Sequence, residues 1–161
     1  MSLSCEITTG GKHEVVISED ELCREAHRGL FRFSSENYIV ADGDAFKLLK
    51  DVLKAGAIKV HLVGSWRWIL GFAMGSKELD RGELFYTLKS LGLKEEELVP
   101  FRKSDVDDLF HFLYYGKRFE VLRRVCQRAK KKTEQSLNKE GVSIHCHIVS
   151  AITNQIVASS L

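Results

Sequence analysis

The chain has 161 residues, 44% of them apolar and 29% charged, with 24 Lys and Arg against 22 Asp and Glu for a net charge of +2. This composition excludes a disordered or collagenous chain, and a chain of this length buries enough surface to fold without disulfide or metal staples. The net charge selects no partner. Cys5, Cys23, Cys126 and Cys146 form no C-x-x-C pair, and the apolar stretches of the first thirty residues are too broken for a signal peptide, so the expected setting is intracellular, cytoplasmic or nuclear, with reduced thiols.

In chain order, Leu3, Cys5 and Ile7 alternate with polar residues, Gly10-Gly11 supplies a turn, and Val15, Val16 and Ile17 return, which predicts an N-terminal hairpin. Ser18 with Glu21 is a capping-box pair that predicts a short helix ending near Gly29. Residues 30–34 and 37–41 are aromatic and β-branched, as strands are, and Asp42-Gly43-Asp44 closes them as a turn. Asp44 is placed to cap a helix with Phe46, Leu49, Val52 and Leu53 on its apolar face, and Gly56 stops it.

Ile58, Val60 and Leu62 alternate with Lys59 and His61, the pattern of a half-buried strand. Ser65 is a cap for a helix over 66–74 that is apolar nearly all round, so it belongs to the core or to an interface. Residues 80–91 are amphipathic through Leu84, Phe85, Leu88 and Leu91, and Ser104 with Asp107 opens a helix ending at Gly116. The longest predicted helix spans 117–137. After Gly141, the residues Val142, Ile144, Cys146 and Ile148 alternate with Ser143, His145, His147 and Val149, the clearest strand in the sequence. The expected architecture is a single compact α+β domain over 1–161, in which an N-terminal hairpin, short strands and a C-terminal strand pack with five to six amphipathic helices.

Charge is concentrated in one place. Lys117, Arg118, Arg123, Arg124, Arg128, Lys130, Lys131 and Lys132 face a single anion, Glu120, so this segment carries +7 and the rest of the chain −5. Arg124, Arg128 and Lys131 recur at helical spacing opposite the apolar stripe, and a phosphate backbone or anionic lipid surface would relieve their mutual repulsion. A solvated helix face is the plainer alternative.

Gly141 to Leu161 carries no Asp, Glu, Lys or Arg, but its histidines, serines, Asn154 and Gln155 exclude a membrane span, leaving a buried or self-associating segment. His145 and His147 point to one face of their strand and can share a metal, with Cys126 or His111 as distant partners, although no second clustered pair completes the set. There is no phosphate loop, dinucleotide fingerprint, nucleophile elbow or zincin motif.

The stretch 46–91 resembles the central region of animal rhabdovirus matrix proteins. The resemblance is carried by Phe46, Leu49, Leu53 and Lys54, then Ile69, Gly71, Ala73, Gly75 and Ser76, then Gly82, Tyr86 and Leu88, with the 142–148 strand similar in character to a late strand of that family. It implies a small self-associating virion protein that binds nucleoprotein and anionic membrane, although no proline-rich late-domain motif is present.

Together these features lead to the expectation of a non-enzymatic structural or adaptor protein. It would bind RNA, nucleoprotein or an anionic membrane surface through the 117–132 cations and form a homo-oligomer through Trp66, Trp68 and Phe72, with no metal, cofactor or small-molecule substrate. The alternatives are a small enzyme with a Cys/His-based or metal site drawn from Cys126, His145 and His147, and a module that docks an acidic protein partner.

Overall fold

Side-chain caps set where most helices of the computed structural model begin; residues 13–161 are described. Asp20, rather than Ser18, starts α1 (Glu21–Phe31), its carboxylate accepting the Cys23 N–H at 2.9 Å. Ser18 is the last residue of β1 (Glu14–Ser18) and is buried. The helix runs through Gly29 and ends where Arg32 turns left-handed at φ 58°. The strand predicted over 30–34 is therefore the last turn of α1 and the coil beyond it. The following strand, β2, is only Tyr38–Val40.

Asp44 caps α2 (Ala45–Lys54) as predicted, accepting the Phe46 and Lys47 N–H groups. Next come β3 (Lys59–Gly64) and then α3 (Trp66–Met74), whose cap is Ser65. The chain continues through α4 (Arg81–Ser90), the single-turn α5 (Glu95–Leu98), α6 (Val106–Tyr115) and α7 (Phe119–Leu137). It closes with β4 (Ser143–Val149) and β5 (Ile156–Ser159). The cap of α6 is Asp105 with Asp108, one residue after the predicted pair.

The strands form one sheet in the order β2-β1-β3-β4-β5, with the first four parallel and β5 antiparallel. Seven α-helices and this sheet make one α+β domain. Of the predicted hairpin, the returning strand is β1, and its two edges pair with β2 and β3. Leu3, Cys5, Ile7 and the Gly10-Gly11 turn lie outside the described residues.

Because side chains alternate along a strand, the sheet has two different faces. Val15, Ile17, Val60, Leu62, Ile144, Cys146 and Ile148 enter the main core, together with Leu49, Val52, Ile69, Phe72, Leu122, Val125 and Cys126 from α2, α3 and α7. The other face carries Val16, Tyr38, Val63 and Val149 under Cys23 of α1. Register adds the histidines to this second face. One row across the sheet reads Tyr38, Val16, His61 and His145. Two residues further along, Ser18, Val63, His147 and Ser159 lie side by side.

Candidate metal centre

His61 and His147 stand on adjacent parallel strands, and α1 brings His27 down onto them. The three residues are 0 to 3% exposed, and one nitrogen from each lies within 4.8 Å of the others. Their ring centroids form a nearly equilateral triangle with sides of 5.1, 5.2 and 5.3 Å. Three imidazoles bound through nitrogens roughly 2.0–2.1 Å from a tetrahedral ion would have centroids about 5 Å apart.

Each ring has one nitrogen held from outside the cluster. His27 Nδ1 lies 2.7 Å from the Tyr38 hydroxyl, His61 Nε2 lies 2.7 Å from the Glu14 carboxylate, and His147 Nδ1 lies 2.7 Å from the Ser159 hydroxyl. The Glu14 carboxylate accepts the His61 Nε2–H, which leaves Nδ1 bare and facing His147 Nε2 at 3.0 Å. His27 Nε2 is buried without a hydrogen-bond partner. Such a nitrogen in a protein interior costs about 1–3 kcal/mol unless something satisfies it. The nitrogens left over are thus His27 Nε2, His61 Nδ1 and His147 Nε2. Each belongs to a ring oriented by an outer partner, as metal-ligating histidines are.

Electrostatics suit the same use, because a metal ligand must be the neutral imidazole. Burial pushes His147 down to about 2, with His61, His27 and His145 nearby adding to the effect. Burial, then His61, lowers His27 to about 3. His61 is also lowered by burial, against the opposing pull of Glu14. All three are uncharged at neutral pH. Phe31 stacks on His27 at 4.3 Å and lies 5.3 Å from His147, while Phe33 lies 5.4 Å from His27 and 5.5 Å from His61. Both phenylalanines are only half-buried, so they form an apolar cover between the cluster and solvent.

Of the residues singled out in the sequence, His145 and His147 do share a face. His147 joins the cluster, and His145 stacks on His61 at 5.1 Å with its Nδ1 buried and unpartnered. Burial is the largest cause holding His145 down to about 4. Cys126 is in the main core on the opposite face, where burial pushes its thiol up to about 12, and His111 is exposed on α6. Neither residue completes the site. The completing residues are His27 and His61, which sequence reasoning passed over. His61 looked like the polar half of an alternating strand, and His27 carried no spacing signal at all.

The α7 cations are partly engaged in holding the fold together. Arg118 pairs with Glu97 at 2.6 Å and Glu120 at 2.7 Å. Arg124 donates to Leu91 O at 3.0 Å and Arg128 to Ser90 Oγ at 2.9 Å, so both sit at the C-terminal end of α4, where positive charge is favoured. Lys130 donates to Glu134 and to Ile144 O, while Glu134 accepts the Ile144 N–H, which closes that part of the β4 edge. Lys117, Arg123, Lys131 and Lys132 are exposed. Trp66 and Phe72 are each 2% exposed, and the Trp66 indole N–H donates to Val106 O at 3.0 Å. Trp68 is half-buried against Phe72 at 4.9 Å. The apolar area of these three residues lies mostly inside the domain. Among the described residues, no helix is long and apolar enough to cross a membrane.

No protein-family model matches the chain, and no curated protein matches it. Among solved structures the chain is similar to isoform I of the β-carbonic anhydrase from the protozoan Trichomonas vaginalis. The identity is 13%, the TM-score 0.42, and the match covers 89% of this chain and 80% of that one. The expectation of a non-enzymatic adaptor acting through the α7 cations, and with it the expectation that the protein is not an enzyme, is corrected here. The finding that overturns them is the buried triad of His27, His61 and His147, a group that could hold a metal ion and that the adaptor reading leaves unexplained.

Proposed function

We propose that the protein is a metal-dependent enzyme in which His27, His61 and His147 hold a zinc-class divalent ion and leave a fourth position for water. One observation carries this reading. Three uncharged, buried imidazoles, each with one nitrogen held by Tyr38, Glu14 or Ser159, bring one nitrogen apiece within 4.8 Å of the others. Neutral imidazole nitrogens suit zinc, copper, nickel or iron rather than magnesium or calcium. Three-histidine zinc sites bring the pKa of bound water down to about 7, and so make a hydroxide nucleophile at neutral pH. The Phe31 and Phe33 cover supports a small, uncharged electrophile as substrate, because an apolar entrance disfavours a charged one.

The test is to measure zinc and cobalt uptake by the purified, chelator-stripped chain, followed by carbon dioxide hydration and 4-nitrophenyl acetate hydrolysis with and without the ion. One ion per chain is expected, with a cobalt absorption spectrum characteristic of tetrahedral nitrogen ligation. Turnover should require the ion and be lost in His27→Ala together with ion binding. Absence of stoichiometric uptake, or uptake unchanged in His27→Ala, would overturn the metal assignment. Tight ion binding with no turnover of either substrate would overturn the water-activating role.

A further inference from the structure

The connections leaving β1 and β3 diverge. β1 leads into α1 on the histidine face, and β3 leads into α3 on the main-core face. In parallel sheets such a divergence opens a crevice beyond the carboxyl ends of the strands, and ligands bind there. In this chain Glu19 bridges the two strand ends: its N–H donates to Val63 O at 2.9 Å, and its Oε1 accepts the Ser65 N–H at 2.8 Å. Beside this bridge is a cavity of about 260 Å³, lined by Glu19, Phe46, Arg67, Trp68, Phe72 and Lys77 among others. None of its lining residues belongs to the histidine cluster.

The apolar wall is rigid. Phe72 is buried at its centre, with the Phe46 ring 4.6 Å away and the Trp68 ring 4.9 Å away. Phe46 and Trp68 are only half-buried and leave part of their surface free. The Trp68 indole lies directly on Gly64, where a Cβ would fall 2.2 Å from the ring, so glycine at 64 is what allows the indole to sit there.

The polar lining is asymmetric. Two cations, Arg67 and Lys77, stand against one carboxylate, Glu19, and one oxygen of that carboxylate is already taken by the Ser65 N–H. Arg67 contacts Asp105 at 2.6 Å and Asp107 at 3.5 Å, and Lys77 contacts Asp44 at 3.2 Å. All of these partners are exposed, and solvent-exposed pairs of this kind are weak and exchange readily. Asp44 also caps α2 through two backbone N–H groups, so it remains satisfied when Lys77 moves away.

We infer that this cavity binds a small carboxylate with a flat apolar body, the ring lying against Phe46 and Trp68 and the carboxylate between Arg67 and Lys77. An amine of the same shape meets two cations there against the single lining carboxylate of Glu19, and a neutral ring gains only the apolar contact. Trp68 is a built-in reporter, because Trp66 is buried and its indole N–H is bonded to Val106 O.

The experiment titrates the intact chain with benzoate, benzylamine and benzyl alcohol, following tryptophan fluorescence and the indole N–H resonances. Saturable binding of benzoate is expected, with the amine and the alcohol at least about tenfold weaker. The double variant Arg67→Gln with Lys77→Gln should weaken benzoate by a similar factor and leave the thermal melt unchanged, since both side chains are exposed. Three results would overturn the inference: no saturable response to benzoate, benzyl alcohol binding as tightly as benzoate, or benzoate binding undiminished in the double variant. Zinc uptake by the histidines is read independently and moves with none of these outcomes.

Discussion

The two faces of the sheet are built from the same strands and hold opposite chemistry. On β3 and β4 the side chains facing α2, α3 and α7 are Val60, Leu62, Ile144, Cys146 and Ile148, all 0% exposed and all carbon or sulfur. The alternate positions on those strands are His61, His145 and His147, together with Val63 and Val149. The first face stabilises the domain by removing apolar area from water, worth about 25 cal/mol per Å². The second face is equally closed to solvent at His27, His61 and His147 but gains far less, because every buried imidazole nitrogen requires a partner. Five of the six nitrogens have partners, in Tyr38, Glu14, Ser159 and the mutual His61–His147 contact, whereas His27 Nε2 has none. The burial of three uncharged rings at such a cost is what the proposed metal site would account for.

Mutation separates the two faces. The largest effect is expected at Leu62→Ala, which opens a cavity in the main core and destabilises the domain by about 2–5 kcal/mol, measured by urea denaturation. The surviving folded protein should still bind one ion with unchanged affinity. A parallel loss of ion affinity would show that the two faces are not separable.

A smaller and complementary effect is expected at Glu14→Gln. An amide holds the His61 Nε2–H less strongly than a carboxylate does, so zinc affinity should fall about 10–100-fold while the melting temperature of the chelator-treated protein scarcely moves. An unchanged affinity would remove Glu14 from the set of orienting partners.

A third effect, spread over several groups rather than one substitution, is expected in acid. His27 and His147 titrate near 3 and 2 in the folded chain, and His145 near 4, against 6.5 when unperturbed. The unfolded chain therefore takes up protons first as pH falls. The histidine contribution to stability is complete above about pH 6.5 and is lost progressively as pH falls through the folded values. In chelator, the three histidines together should lower the melting temperature by about 10–20 °C from pH 7 to pH 5, and His147→Gln should flatten that slope. An equal slope in the variant would place the acid sensitivity elsewhere.

Much of the scaffold was legible in advance. Asp44 and Ser65 cap the helices they were expected to cap, because an N-cap is read over three or four residues. The residues behind the matrix-protein resemblance include Leu49, Leu53, Ile69, Ala73 and Leu88, which are the buried stripe of α2, α3 and α4. Any amphipathic helix packed into a core needs such a stripe. The α7 cations show where local pattern stops. Helical spacing placed Arg124 and Arg128 on one side, but only the fold showed that Ser90 and Leu91 lie within their reach.

Local pattern was enough for most of the elements, for the caps at Asp44 and Ser65, and for the fact that His145 and His147 share a face, since the two-residue period of a strand is a local property. Strand order and register, which set His61 beside His145 and within hydrogen-bonding distance of His147 across 86 residues of chain, were decided only in the tertiary structure. So was the seat of α1 that lowers His27 onto both. These arrangements depend on which apolar faces pack together over the whole domain. No short window of the sequence contains that information.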